Sequence, residues 1–152
     1  MSVSVIATPA GSSGAVPIEV PAVRPDDLGC LMELPCVPQS AGARRELVRI
    51  ALAAWSLTEL DDTAAPLVTE LVANAAKRTG CTKIAISVTR QRESVRVGVR
   101  DSSSEVPRRT VPAPEAQSGY GLGLVDALSS RWGLAWAPFG KWVWFELRTV
   151  KP

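Results

Sequence analysis

The chain has 152 residues, 46% of them apolar and 21% charged, with a formal net charge of +2. That length and apolar share suit one globular domain around a single core and exclude intrinsic disorder of the whole chain. A charge this small, without a Lys/Arg cluster, argues against a nucleic-acid partner, and no apolar stretch reaches the ~20 residues of a membrane span.

The first ten residues lack the basic start and sustained apolar run of a secretory signal, so the expected location is the cytoplasm. Cys30, Cys36 and Cys81 are odd in number and lack the paired spacing of a zinc site, which reads as reduced thiols. The chain has no histidine. That excludes Ser-His and Cys-His nucleophiles, His-zinc centres and a phosphohistidine intermediate.

In chain order, residues 1–28 are rich in Ser, Gly, Ala, Val and Pro, and the recurrence of Pro9, Pro17, Pro21 and Pro25 predicts a flexible N-terminal tail ahead of a domain over 29–152. Residues 31–38 read as extended, and Ser40 offers an N-cap for an amphipathic helix over 41–55. That helix would gather Leu47, Ile50, Leu52 and Trp55 on one side, with Arg44, Arg45 and Arg49 opposite. A second helix is expected from Asp61 or Asp62 to Arg78, stopping near Gly80, with Leu67, Val68, Leu71, Val72 and Ala75 facing a core. Alternating Ile84, Ile86, Val88 and Val95, Val97, Val99 predict two strands joined at Gln91-Arg92-Glu93. A polar, Pro-containing stretch over 102–118 reads as a lid or binding loop. A short helix over 121–131 and a final hairpin, 133–137 and 141–148, complete the chain. The layout is α+β: a two-layer sandwich in which a mixed sheet is covered on one face by helices.

Three places carry candidate chemistry. Glu70, Asn74 and Lys77 lie within about 60° of each other around the second helix, beside its apolar stripe. A carboxamide is a neutral oxygen ligand for a hard divalent ion, and a carboxylate one turn away can orient or deprotonate a hydroxyl; the same positions also suit a solvated helix edge. Asp101 shares the parity of Val95, Val97 and Val99, which turns its carboxylate toward the core side, where an exocyclic amino group would be a fitting donor; Asp-Ser-Ser-Ser is equally good turn sequence. Gly119, Gly121 and Gly123 alternate where the long loop meets the next helix, so backbone amides can approach an anion unobstructed, or serve as a hinge. The spacing is not the dinucleotide fingerprint, and Trp142 after Gly140-Lys141 excludes a P-loop.

Taken in order, Glu-Leu-Val-Ala-Asn-Ala-Ala-Lys (70–77), Asp101 with Pro107, Ser-Gly-Tyr-Gly-Leu-Gly-Leu-Val (118–125), Arg-Trp-Gly (131–133) and Gly-Lys-x-Val-Trp (140–144) resemble the histidine-kinase-like (GHKL, or Bergerat) ATP-binding domain over residues 31–148. The resemblance is to its stand-alone, anti-sigma-factor serine kinase form, as found in the short copies encoded by actinobacteria. It implies ATP and Mg²⁺, with Asn74 as the metal ligand, Glu70 as base or orienter of a serine hydroxyl, Asp101 on adenine N6, and Gly119, Gly121, Leu122 and Gly123 on the phosphates. It also places Lys77 at the nucleotide and Arg108 or Arg109 within reach of the γ-phosphate. The implied function is an ATP-dependent serine/threonine kinase acting on a STAS-type antagonist; the alternative is a degenerate module that sequesters a sigma factor or antagonist without phosphoryl transfer. Implied partners are a STAS-type anti-anti-sigma protein, a sigma factor, or a second copy in a homodimer, with no membrane and no direct nucleic acid.

Some positions depart from the family pattern. Arg78 stands where many relatives have His, Ser103 where a Gly is usual and Tyr120 where Arg is frequent, and the last hairpin has no Thr to bridge to adenine. A complete histidine kinase is excluded, since no phospho-accepting His exists. Trp142 and Trp144 fall on the strand face opposite Val143, Phe145 and Leu147, where a partner, a second subunit or the N-terminal segment would cover them.

Overall fold

A computed structural model describes residues 2–6, 20–76, 82–101, 122–137 and 140–149. Its strands are β1 (Ser2–Ile6), β2 (Gly29–Pro35), β3 (Lys83–Arg90), β4 (Ser94–Asp101), β5 (Arg131–Ala137) and β6 (Gly140–Arg148), and its helices are α1 (Ala41–Ala54), α2 (Asp61–Ala76) and α3 (Gly123–Leu128). The strands form one sheet in the order β1-β2-β3-β4-β6-β5. β1 pairs with β2 in parallel and every other neighbour is antiparallel, so the sheet is mixed. The helices cover one face, as the α+β reading expects.

The register explains the core row by row. Cys30, Val88, Val97 and Phe145 are mutual partners across β2, β3, β4 and β6; Met32, Ile86, Val99 and Val143 form the next row. All eight are buried and face α1 and α2. The alternation read from the sequence therefore selects one face, because side chains two apart on a strand share it. α2 lays Ala64, Leu67, Val68, Leu71, Val72 and Ala75 into this layer, and α1 adds Ala43, Leu47, Val48, Ala51 and Leu52. Ile50, expected on the apolar side of α1, is only half-buried.

Capping differs from the sequence reading. Ser40 stands at the α1 N-cap, yet its hydroxyl donates to the Pro35 carbonyl at 2.8 Å and makes no cap bond to the helix. At the other end Ser56 takes a positive φ of 57° without being glycine, and Leu57 N–H donates to Leu52 O at 2.8 Å in a Schellman-type closure.

The N-terminal reading needs correction. Residues 2–6 form a strand where the prolines suggested no regular structure. Ser-Val-Ser-Val-Ile alternates serine with β-branched residues and ends before Pro9, so every proline of the segment lies beyond the strand and none interrupts it. Residues 20–28, also assigned to the tail, belong to the domain. Val20 and Val23 pack against the core, the buried Trp55 indole donates to Asp27 O at 3.0 Å, and the Arg90 guanidinium donates to Pro25 O at 3.0 Å. Residues 7–19 lie outside the described residues.

The opposite sheet face is clad by arginine and tryptophan. Trp144 is flanked in register by Gly98 and Gly133, and a Cβ on Gly133 would come within 2.8 Å of its ring. With that room the ring lies over the sheet, and the Arg96 and Arg131 guanidinium carbons stand 3.9 and 5.4 Å from its centroid. Glu146 accepts from Nε of Arg96 at 2.7 Å and from Nε of Arg131 at 2.9 Å, and Arg100 stands 5.7 Å over Trp142. Both tryptophans are half-buried beneath arginines of their own sheet.

One thiol gives the core a measurable pH signature. Burial pushes the Cys30 thiol from an ordinary 9.0 up to about 12, ahead of a smaller opposing hydrogen bond from Val88. The folded thiol stays neutral where an unfolded one ionises, so its contribution to stability is complete below pH 9.0 and is lost as pH rises toward about 12. Melting temperatures measured across that window are expected to fall less steeply in Cys30→Val than in the wild type. Iodoacetamide at pH 8 should modify the half-buried Cys36 and leave Cys30 unmodified until denaturant is added.

Candidate functional site

The third row of the sheet marks where the core changes character. Leu34 and Ile84 continue the apolar pattern on β2 and β3, but their row-mates on β4 and β6 are Asp101 and Lys141. Both charged residues lie on the helix-covered face, with 3% and 5% of their surface exposed. A sheet row that ends in a buried carboxylate and a buried ammonium is costly unless both are provided with partners, so such a row marks a polar site set into the core layer. Asp101 thus occupies the core-side position that its parity predicts.

Gly140 fixes this junction. A Cβ built there would collide with the Asp101 carbonyl oxygen, so the first residue of β6 approaches β4 more closely than any side chain allows. Sequence reasoning counted Gly140-Lys141 within a motif of the family resemblance and excluded it as a P-loop, but gave neither residue a place in the site. The signal was available in principle: Lys141 shares the parity of Val143, Phe145 and Leu147, and only the hairpin register was needed to set it opposite Asp101.

α2 supplies the second wall. Glu70 and Asn74 stand one turn apart, where the apolar stripe meets the site edge. Asn74 was expected beside the stripe; the structure buries it with the stripe, at 5% exposure. Glu70 is half-buried, and its Oε2 is shielded from solvent with no hydrogen-bond partner. Only one other side-chain atom among the described residues is in that condition, Nε of Arg100 on the opposite sheet face. A shielded carboxylate oxygen without a donor is unfavourable, and such atoms are few in folded proteins and mark sites that expect a donor.

α3 packs against α2 and brings the end of the glycine segment to the site. Leu122 and Val125 insert into the core at 3% and 0% exposure, so Leu122 can offer a ligand only its backbone. A Cβ built on Gly123 meets nothing within 4 Å, which leaves open space at the first residue of the helix. The Trp132 indole donates to Asp126 Oδ1 at 2.8 Å and ties α3 to β5. Lys77, Arg108, Arg109, Gly119 and Gly121 lie outside the described residues, as do Arg78, Cys81, Ser103, Tyr120 and the expected lid over 102–118.

α2, which carries Glu70 and Asn74, packs against β4, which ends at Asp101, and against α3, and Lys141 is the register partner of Asp101. Among the described residues no group of three His, Cys, Asp or Glu side chains could hold a metal ion. A divalent ion here would rest on Asn74 together with ligand oxygens and water, which suits Mg²⁺ bound with phosphates. No helix among the described residues is long and apolar enough to cross a membrane.

Comparison with known families gives a match over most of the described domain. The model of the histidine kinase-, DNA gyrase B- and HSP90-like ATPase family matches residues 61–151, which takes in α2, the glycine segment and every strand from β3 to β6. No curated protein matches the chain. The chain belongs to this ATPase family.

The close approach at Gly140 can be tested directly. Gly140→Ala should force β4 and β6 apart at Asp101 and cost about 2 kcal/mol or more of stability, as backbone-level overpacking does. A urea denaturation midpoint unchanged from the wild type would show that the strand pair tolerates the methyl group.

Proposed function

We propose that this member of the ATPase family is an ATP-dependent protein kinase of the anti-sigma type, which phosphorylates a serine of a STAS-type antagonist. The observation that carries the reading is the buried, unpartnered Oε2 of Glu70, one turn from the buried Asn74. A serine hydroxyl entering the site supplies the donor that this oxygen lacks. Glu70 then orients the hydroxyl and takes its proton as the serine oxygen bonds to the γ-phosphorus and the bond to the β-phosphate oxygen breaks, releasing ADP. Most of the catalytic requirement is positioning, which a rigid helix edge supplies.

Asn74 would hold Mg²⁺, whose chemistry is to neutralise charge on the phosphates. Asp101 would accept from the 6-amino group of adenine, and the open backbone at Gly123 would lie along the phosphates, with Gly119, Gly121, Lys77 and Arg108 or Arg109 completing the set that the resemblance implies. The partners follow from the same resemblance: the STAS-type protein as substrate, a sigma factor as a sequestered partner, and a second copy of the chain. A cytoplasmic location fits these partners.

Calorimetry with ATP and Mg²⁺ is expected to show binding that weakens about tenfold or more in Asn74→Ala and in Asp101→Asn, since each removes a hydrogen bond or ligand to a charged or polar group. Phosphoserine should accumulate on a purified STAS-type antagonist with wild-type protein. Glu70→Ala should lower that turnover by about 10²-fold or more, the usual order for a general base, with ATP affinity nearly unchanged. Intact ATP binding with no phosphoserine on any antagonist would overturn the kinase reading in favour of a binding module.

A further inference from the structure

We propose that the sheet face opposite the helices is a docking surface for an acidic segment of a partner protein, with Arg100 as its anchor. The strand register gathers there basic side chains that are scattered in sequence. Among the described residues, Lys83, Arg96, Arg100, Arg131 and Arg148 alternate with core-facing residues of their strands, so all five fall on this face. The acidic residues in the same register are Glu33 and Glu146. The basic surplus of this one face exceeds the net charge of +2 carried by the whole chain. Positive charge is therefore concentrated on one side of a molecule that is otherwise close to neutral.

The arginines of the face are not equivalent. Arg96 and Arg131 both bind Glu146 and form the clasp around Trp144. Arg100 pairs only with Glu33, at 3.7 Å, beyond hydrogen-bonding distance, and its Nε is shielded from solvent with no acceptor. A carboxylate arriving from outside supplies the acceptors that this guanidinium lacks, in the bidentate geometry the two groups share. Beside it lies the half-buried Trp142, its ring against Gly98. Arginine and tryptophan side by side are the residue types that most often anchor protein interfaces. The charge also selects the occupant. A second copy on this face would set arginines against arginines, because a two-fold contact matches a patch with itself. A nucleic acid would need aromatic faces for its bases, and Trp142 and Trp144 already carry arginines of their own sheet. An acidic protein segment meets neither obstacle.

The probe is fluorescein-labelled deca-glutamate, titrated into the full-length chain at low ionic strength and read by anisotropy. It should bind the wild type and bind Arg100→Gln about tenfold more weakly, the order for a lost hydrogen bond between charged groups. Arg45→Gln removes the same charge from an exposed position on α1 and should leave the affinity unchanged. In the wild type, NMR shifts on adding the peptide should fall on β4, β6 and the Trp142 indole, a readout that needs no variant. No binding overturns the proposal, as do shifts confined to α1 and α2 or equal losses in Arg45→Gln and Arg100→Gln. Displacement of the peptide by ATP with Mg²⁺ overturns it too, because the peptide then occupies the proposed nucleotide site. Tighter binding of a decathymidylate than of deca-glutamate gives the face to nucleic acid and overturns the acidic partner.

Discussion

The register between β4 and β6 is the constraint on which the rest of the site depends. Four consecutive pairs, Val95–Leu147, Val97–Phe145, Val99–Val143 and Asp101–Lys141, face the helices, and the first three are apolar. A slip by one residue would turn Trp142, Trp144 and Glu146 into the core and send Val143 and Phe145 to the other face, at a cost of several buried side chains. The apolar pairs therefore hold the charged one in place. The same hydrophobic alternation that builds the core delivers a carboxylate and an ammonium to one end of it, and Gly140 keeps the strands close at that end.

The opposite face solves a separate problem. A sheet covered by helices on one side exposes the other, and two tryptophans there would form an apolar patch. Here Gly133 leaves space for the Trp144 ring and Gly98 for the Trp142 ring, Arg96 and Arg131 stack on Trp144, and Glu146 receives both guanidinium groups. The stems of the arginines cover aromatic surface while their heads stay hydrated. This cladding gives β6 a reason to stay flat against β4 on the side away from the site. It supports the register from behind.

How much of this was legible in the sequence depends on which physical signals are local. The stripe of Leu67, Val68, Leu71, Val72 and Ala75, and the alternation of Ile84–Val88 and Val95–Val99, are local patterns, and the structure buries all of them. The core-side placement of Asp101 came from parity alone. The strand at 2–6 was hidden because prolines further along dominated the reading of the whole segment, although the five residues concerned alternate. The packing of residues 20–28 depends on Trp55 and Arg90, which are distant in sequence, so no local pattern announces it. Lys141 was missed for the same reason. Its meaning lies in the residue across the ladder, and ladder register is not written in either strand alone. Ser40 was given the right position and the wrong partner, because its hydroxyl finds the Pro35 carbonyl, at the end of β2, before any helical N–H.

Glu70 and Asn74 show what a functional edge asks of a core helix. Asn74 is buried with the aliphatic stripe and Glu70 has an oxygen shielded without a donor, so α2 carries polar groups where Leu or Ala would pack with less penalty. The cost is confined to one turn of a 16-residue helix whose other inward positions are aliphatic. It is tolerable because stability is supplied by the rows of the sheet and the stripe above them, not by the site. The two demands are separated along a single helix: the stripe anchors it, and the edge holds a carboxylate and a carboxamide rigidly, one turn apart. The proposed phosphoryl transfer would depend mainly on such positioning, and rigidity borrowed from the core is what the fold would contribute to it.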